Sequence, residues 1–140
     1  MSGKINGAGS KSGIIGYTET SFGNWTPTVT AGGSSITATV ASWVRVGNIV
    51  TIVCYAGAIG SGTGTQLQWG GLPFNVITGG YVSALVGMGS QTTGYLTYVR
   101  TQSNSKNLIF WQGDAGTRSA YPGNGGAGHF TFSLSYRTDE

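Results

Sequence analysis

The feature that most constrains this chain is a pair of consecutive β-strand patterns separated by two turn residues. Apolar and polar side chains alternate over residues 36–46, which is the period of a β-strand. One predicted face carries Ile36, Ala38, Val40, Val44 and Val46, and the other carries Thr37, Thr39, Trp43 and Arg45. Gly47 and Asn48 then give a tight-turn signal, so the segment is predicted to begin a β-hairpin.

The second strand of this hairpin, predicted over residues 49–59, is apolar on both faces. One face carries Val50, Ile52, Cys54 and Ala56, and the other carries Ile49, Val53, Tyr55 and Ile59. Both faces need to be covered, because apolar area exposed to water is unfavourable. A second sheet covers one face, and we expect a neighbouring subunit to cover the other. The predicted oligomer interface consists of Trp43, Arg45, Ile49, Val53 and Tyr55, although plain exposure of Trp43 and Arg45 is the alternative.

Further strand patterns occupy residues 81–88, 95–100, 107–112 and 129–137. The last of these alternates without interruption, and its predicted inward face consists of Phe130, Phe132, Leu134 and Tyr136. About eight short strands at this spacing are typical of a β-sandwich, here of jelly-roll type. We therefore predict an all-β chain with one sandwich domain over residues 23–140. Residues 1–22 are predicted to form an extended Gly/Ser-rich arm, in which Ile14, Ile15 and Tyr17 are the apolar contacts for a partner.

Charged side chains are few and scattered. Seven Lys and Arg residues stand against four Asp and Glu residues, which gives a formal net charge of +3. Nucleic-acid binding needs cations clustered on one face, and the sequence shows no such cluster, so we expect no nucleic-acid partner. No apolar run approaches the roughly 18 residues of a membrane-spanning helix, so we expect no membrane insertion. Cys54 is the only cysteine and is predicted to be a small buried side chain.

The inventory of reactive side chains disfavours catalysis. Asp114 is the one carboxylate in the body of the predicted domain, whereas Glu19, Asp139 and Glu140 lie in the arm or at the terminus. Glycoside hydrolysis normally needs a carboxyl pair, and a metal site needs several His, Cys or acidic ligands. His129 is the only histidine. We therefore expect no catalytic residue, no metal ion and no cofactor.

The segment WQGDAGTRSAY (residues 111–121) is the best candidate for recognition of a ligand. It joins two predicted strands and contains Trp111, Asp114, Arg118 and Tyr121. Aromatic faces pack on sugar rings, and Asp and Arg side chains hydrogen-bond to hydroxyl groups, so this set would suit a host glycan. The simpler interpretation, in which Trp111 packs within a strand and Asp114 belongs to a turn, is preferred.

Four phrases of the sequence stand out, namely GAGSKSGIIGYTE (residues 7–19), WTPTVT (25–30), WVRVGNIVTIVCYA (43–56) and GLPF (71–74). Together they resemble a family of small bacteriophage virion domains that occur at the ends of tail fibres and on capsid surfaces, with a weaker likeness in HFTFSLSY (residues 129–136). The resemblance implies a non-enzymatic structural protein at the virion surface. Because no signal-peptide pattern opens the sequence, we expect it to be made in the host cytoplasm.

Two positions on the virion remain open at this point. The sequence runs from Met1 to Glu140 with no room for a fibre shaft, so we expect a capsid decoration or cement protein. Its arm would bind the major capsid protein or other virion proteins, and family habit together with the doubly apolar strand suggests a homotrimer; a dimer or pentamer would also bury that strand. The alternative is a receptor-binding tail-fibre knob that recognises a host surface glycan.

Overall fold

The computed structural model describes residues 19–32, 36–57, 66–89, 96–114, 117–120 and 129–140. Within these residues the chain forms eleven β-strands and no helix, which confirms the predicted all-β class. The strands are β1 (Thr20–Asn24), β2 (Thr28–Ala31), β3 (Thr37–Val46), β4 (Ile49–Gly57), β5 (Gln68–Gly70), β6 (Ser83–Leu85), β7 (Gly87–Gly89), β8 (Leu96–Thr101), β9 (Leu108–Asp114), β10 (Thr117–Ala120) and β11 (His129–Arg137).

These strands form two antiparallel sheets that pack on one core, so the predicted β-sandwich is confirmed. The first sheet has the order β1-β3-β4-β11-β7, and the second has the order β2-β5-β9-β8-β6 with β10 paired to β9. The chain changes sheet six times along its length, and two of these crossings lie wholly within described residues, at residues 25–27 and at Val86. Because of the crossing at Val86, the single strand predicted over residues 81–88 is two short strands in different sheets.

The core forms where the inner faces of the two sheets meet. The alternating residues Phe130, Phe132, Leu134 and Tyr136 of β11 are all buried, as predicted. At its centre the Trp69 ring of β5 lies 4.6 Å from the Phe110 ring of β9 and 5.8 Å from the Phe130 ring. Aromatic pairs at such distances contribute about 0.5–1.5 kcal/mol beyond the area that they bury. This cluster therefore joins the two sheets.

The β3–β4 hairpin forms as predicted, but the strict alternation assigned to β3 is wrong. The register shifts between Ala38, which pairs with Ala56, and Val40, which pairs with Tyr55. This β-bulge adds one residue to β3 and reverses which of its positions point inward. As a result, Val44 and Val46 are exposed, while Trp43 packs against the core.

The first sheet extends into the segment predicted to be the arm. β1 begins at Thr20 and pairs with β3 from Thr20 opposite Val46 to Asn24 opposite Ser42. The backbone nitrogen of Gly47 also donates a hydrogen bond to the carbonyl oxygen of Glu19. Residues 20–22 therefore belong to the sandwich, and the chain enters it beside the β3–β4 turn.

Two of the sequence phrases meet at a backbone contact between Gly71 and Thr26. Gly71 has a φ of +91°, and a Cβ atom at this position would overlap the Thr26 carbonyl oxygen. Thr26 lies where the chain crosses from β1 to β2, whereas Gly71 follows β5. Glycine is therefore required at position 71 both for its backbone conformation and for the close approach of the two segments.

We expect Gly71→Ala to destabilise the fold much more than Gly79→Ala. Gly79 also has a positive φ of +76°, but no atom lies within 4 Å of a Cβ built there. Gly79→Ala should lower the free energy of unfolding by about 1–2 kcal/mol, from backbone strain alone. Gly71→Ala adds a steric clash and should lower it by about 3 kcal/mol or more. Urea denaturation of both variants measures the difference, and equal losses would contradict the proposed contact.

Candidate interaction surfaces

The outer face of the first sheet carries an extended apolar surface. Of the nine large apolar side chains that are exposed in the described residues, seven lie on this face. We call them the outer patch, which consists of Phe22, Val40, Val44, Val46, Ile49, Val53 and Tyr55. The bulge in β3 and the doubly apolar sequence of β4 together bring these side chains to one side, since cross-strand partners point to the same face.

The outer patch is almost free of charge. Among the described residues on this face of the five strands, the ionisable groups besides Tyr55 are His129 and Arg137, at the two ends of β11. Between them the outward residues of β11 are Thr131, Ser133 and Ser135, and the Ser135 hydroxyl is hydrogen-bonded to that of Thr51 at 2.8 Å. A surface that is apolar and uncharged at its centre, with a polar border, is characteristic of protein–protein contact sites.

The five residues predicted as an oligomer interface do not lie together. Ile49, Val53 and Tyr55 belong to the outer patch, but Trp43 and Arg45 point to the opposite side of the first sheet because of the bulge. The Trp43 ring packs edge-on against Phe74, with ring centroids 5.0 Å apart. The Arg45 guanidinium lies 4.8 Å from the centre of the same ring. Trp43 and Arg45 therefore stabilise the sandwich rather than the outer patch.

Arg45 also contributes to a cluster that fixes the C-terminus. Its Nε atom donates to the carbonyl oxygen of Gly47 at 2.7 Å, and its Nη2 atom donates to the backbone oxygen of Glu140. The Glu140 carboxylate accepts a hydrogen bond from Asn75 and lies 3.8 Å from the Lys106 ammonium group. The last residue is thus attached to the loops at one end of the sandwich.

Two buried groups have raised pKa values. Burial raises the pKa of Tyr136 to about 12, and the nearby Glu140 charge acts in the same direction. The Tyr136 hydroxyl also donates a hydrogen bond to the Phe74 carbonyl at 3.1 Å. Burial also raises the pKa of the Cys54 thiol to about 12. Cys54 is fully buried and stays a neutral thiol at physiological pH, as expected for a packing residue rather than a nucleophile.

The outer face of the second sheet has a different character, because it carries a cation between aromatic rings. The Arg100 guanidinium of β8 lies 5.0 Å from the centre of the Tyr81 ring and 5.4 Å from that of the Trp111 ring in β9. We call Tyr81, Arg100 and Trp111 the aromatic–arginine cluster. Tyr98 pairs with both Leu85 and Trp111, which places further aromatic and apolar residues beside it.

The predicted glycan site is described only in part. Trp111 lies within β9, and Asp114 and Arg118 lie on the two strands of the β9–β10 hairpin, where Arg118 pairs with Gly113. Tyr121 lies outside the described residues. Sequence reasoning missed Arg100 and Tyr81, which come from other segments of the chain. The alternation of Tyr98 and Arg100 indicated a shared face, but the sequence carries no signal for the register that brings Trp111 beside them.

The other predicted sites add no cluster of reactive groups in the described part of the chain. The arm contacts Ile14, Ile15 and Tyr17 lie outside it. No group of three or more His, Cys, Asp or Glu side chains that could hold a metal ion occurs in the described residues. A groove of about 600 Å³ is lined by residues 24–27, 36–37 and 40–41, none of which is an acid, a base or a thiol.

Comparisons with other proteins do not extend these observations. Searches against models of protein families, against curated proteins and against solved structures found no match to this chain. The described residues contain no helix long and apolar enough to cross a membrane. The class of protein that the structure defines is therefore an antiparallel β-sandwich.

The raised pKa values predict a loss of stability in alkali. The unfolded chain releases the Cys54 proton near the ordinary thiol pKa of 9.0 and the Tyr136 proton near the ordinary phenol pKa of 10.0, whereas the folded protein keeps both up to about 12. Because the unfolded state then binds fewer protons, the free energy of unfolding falls as pH rises through this window.

Urea denaturation of the wild type and of Tyr136→Phe, from about pH 8 to about pH 12, measures this effect. Phe at position 136 should cost about 1 kcal/mol at pH 8, through the hydrogen bond lost to Phe74, and should make the alkaline decline shallower. Cys54→Ala should reduce the part of the decline that begins near pH 9. Parallel curves for all three proteins would show that neither group is responsible.

Proposed function

We propose that this chain is a non-enzymatic structural protein of a bacteriophage virion, namely a capsid decoration or cement protein that acts as a homo-oligomer at the virion surface. The resemblance of its sequence phrases to phage virion domains supports the virion assignment. The observation that carries the structural role is the uncharged outer patch. Seven exposed apolar side chains on one sheet face are suited to burial against protein rather than to chemistry.

The size of the outer patch fits self-association. With side chains that are 37% to 82% exposed, it offers roughly 600 Å² of apolar area, against about 800 Å² that each partner contributes to a standard interface. Arg137 is the one Lys or Arg residue on this face among the described residues, and it lies at the end of β11. Copies of the chain can therefore bring their patches together with little like-charge repulsion. A homotrimer is the proposed stoichiometry.

The arm is proposed to provide the contact with the major capsid protein or with other virion proteins. The chain enters the first sheet through Glu19, whose carbonyl oxygen accepts the hydrogen bond from Gly47 at the β3–β4 turn. Val46 and Ile49 of the outer patch flank this turn. Glu19, the first described residue, therefore lies at the margin of the patch. Several arms of one oligomer would bind a capsid with increased avidity.

A single charge in the outer patch tests the self-association. We expect the wild type to sediment as an oligomer, with a trimer having three times the chain mass of 14.4 kDa, and Val53→Lys to sediment as a monomer. Leu85→Lys is the matched control, since Leu85 is exposed on the second sheet and should leave the oligomer intact. Analytical ultracentrifugation of all three proteins measures this. A monomeric wild type, or an unchanged Val53→Lys oligomer, would contradict the interface.

The location of the protein on intact particles tests the proposed function itself. Antibodies against the chain, visualised by gold labelling in electron microscopy, should decorate the head of the phage that encodes it, in many copies. Label on the tail tip would refute the capsid position, and particles without label would refute a virion protein altogether. Particles from a phage that lacks the gene serve as the control.

The second candidate is a receptor-binding tail-fibre knob that recognises a host glycan. The aromatic–arginine cluster favours it, because the exposed Tyr81 ring beside a guanidinium is suited to sugars. In this case the label would appear at the tail tip, and the recognition surface would be the second sheet, including the β9–β10 hairpin.

A further inference from the structure

Arg100 occupies an unusual position for a cation. It is half-buried on the outer face of the second sheet, between the rings of Tyr81 and Trp111. Its Nε atom is buried and has no hydrogen-bond acceptor among the described residues. Cation–π contacts stabilise a guanidinium in such a place by about 0.5–2 kcal/mol, but they do not satisfy its N–H donors.

The carboxylates whose side chains the structure describes do not neutralise Arg100. None of them lies within 4.0 Å of its nitrogen atoms. Glu140 is bound to Arg45, Asn75 and Lys106 at the end of the sandwich. Glu19 adjoins the β3–β4 turn of the first sheet, and Asp139 follows β11 of the same sheet. A partly desolvated cation of this kind favours an anionic partner from outside the described chain.

We infer that the aromatic–arginine cluster binds a carboxylate-bearing saccharide, with a hexuronic acid unit as its ligand. The two terminal amino groups of the guanidinium, rather than the buried Nε atom, provide a planar pair of donors that matches a carboxylate, and the flanking rings hold the group in place. The Tyr81 ring is 58% exposed and offers an apolar face for the C–H groups of a pyranose ring. Leu85, at 69% exposure, extends this apolar surface. The site lies outside the outer patch and does not depend on the virion assignment.

The geometry favours an acidic saccharide over other anions. A free inorganic anion would use the guanidinium but would leave the exposed faces of Tyr81 and Leu85 in water. A nucleic acid would need several cations along its phosphate backbone, and the strands of this sheet carry only two basic residues, Arg100 and Arg118.

Calorimetric titration of the full chain with trigalacturonate tests this inference. We expect saturable binding that weakens about tenfold in Arg100→Lys, which keeps the charge but loses the planar pair of donors. Tyr81→Ala should weaken it to a similar extent, and this variant retains the fold because Tyr81 is largely exposed. Arg137→Lys, on the first sheet, is the matched control and should leave the affinity unchanged. Thermal unfolding of each variant confirms that it is folded.

Two further probes separate the possible ligands. Neutral galactotriose should bind at least about tenfold more weakly than trigalacturonate, because it lacks the carboxylate partner of Arg100. Inorganic phosphate should compete poorly. The inference is overturned if trigalacturonate does not bind the wild type, or if phosphate binds as tightly as the saccharide. It is also overturned if Arg100→Lys and Tyr81→Ala bind trigalacturonate like the wild type, or if Arg137→Lys weakens binding as much as Arg100→Lys does.

Discussion

The rest of the structure depends on the burial of the inward-facing side chains of strand β4. Its residues Val50, Ile52, Cys54 and Ala56 are completely buried, and they lie beside the equally buried inner residues of β11. The second sheet covers them through the aromatic cluster around Trp69. Because β4 is also apolar on its other side, the packing that forms the core necessarily leaves Ile49, Val53 and Tyr55 on the outside. The outer patch is thus a direct consequence of the core.

The bulge in β3 determines how large the outer patch is. Without the extra residue, Val44 and Val46 would point into the sandwich, and Trp43 and Arg45 would point outward beside Val53. With it, Trp43 and Arg45 reach Phe74 and the C-terminal residue Glu140, which close one end of the sandwich. The one inserted residue therefore makes the outer face of the first sheet apolar, where Trp43 and Arg45 would otherwise lie. It also allows Arg45 to contact Glu140.

Local patterns predicted the features that depend on one strand or one turn. The alternation of β11, the two-residue turn at Gly47 and the doubly apolar character of β4 are all visible in the sequence and all occur in the fold. The bulge was not predictable, because it depends on how Trp43 packs against Phe74, 31 positions away. The aromatic–arginine cluster was missed for a related reason. Tyr81, Arg100 and Trp111 come from three segments, and only the register of β8 against β9 brings them together.

The two outer faces of the sandwich differ in charge and polarity, so the same environment does not suit both. If copies of the chain associate through the outer patch, the outer face of the second sheet is the broad surface left facing away from the contact. That face carries Arg100, which gains from water or from an anionic partner and would be destabilised by burial against an apolar surface. Self-association through the first sheet would thus display one cluster per copy. Several weak sites on one oligomer bind a repetitive polysaccharide far more strongly than one site does.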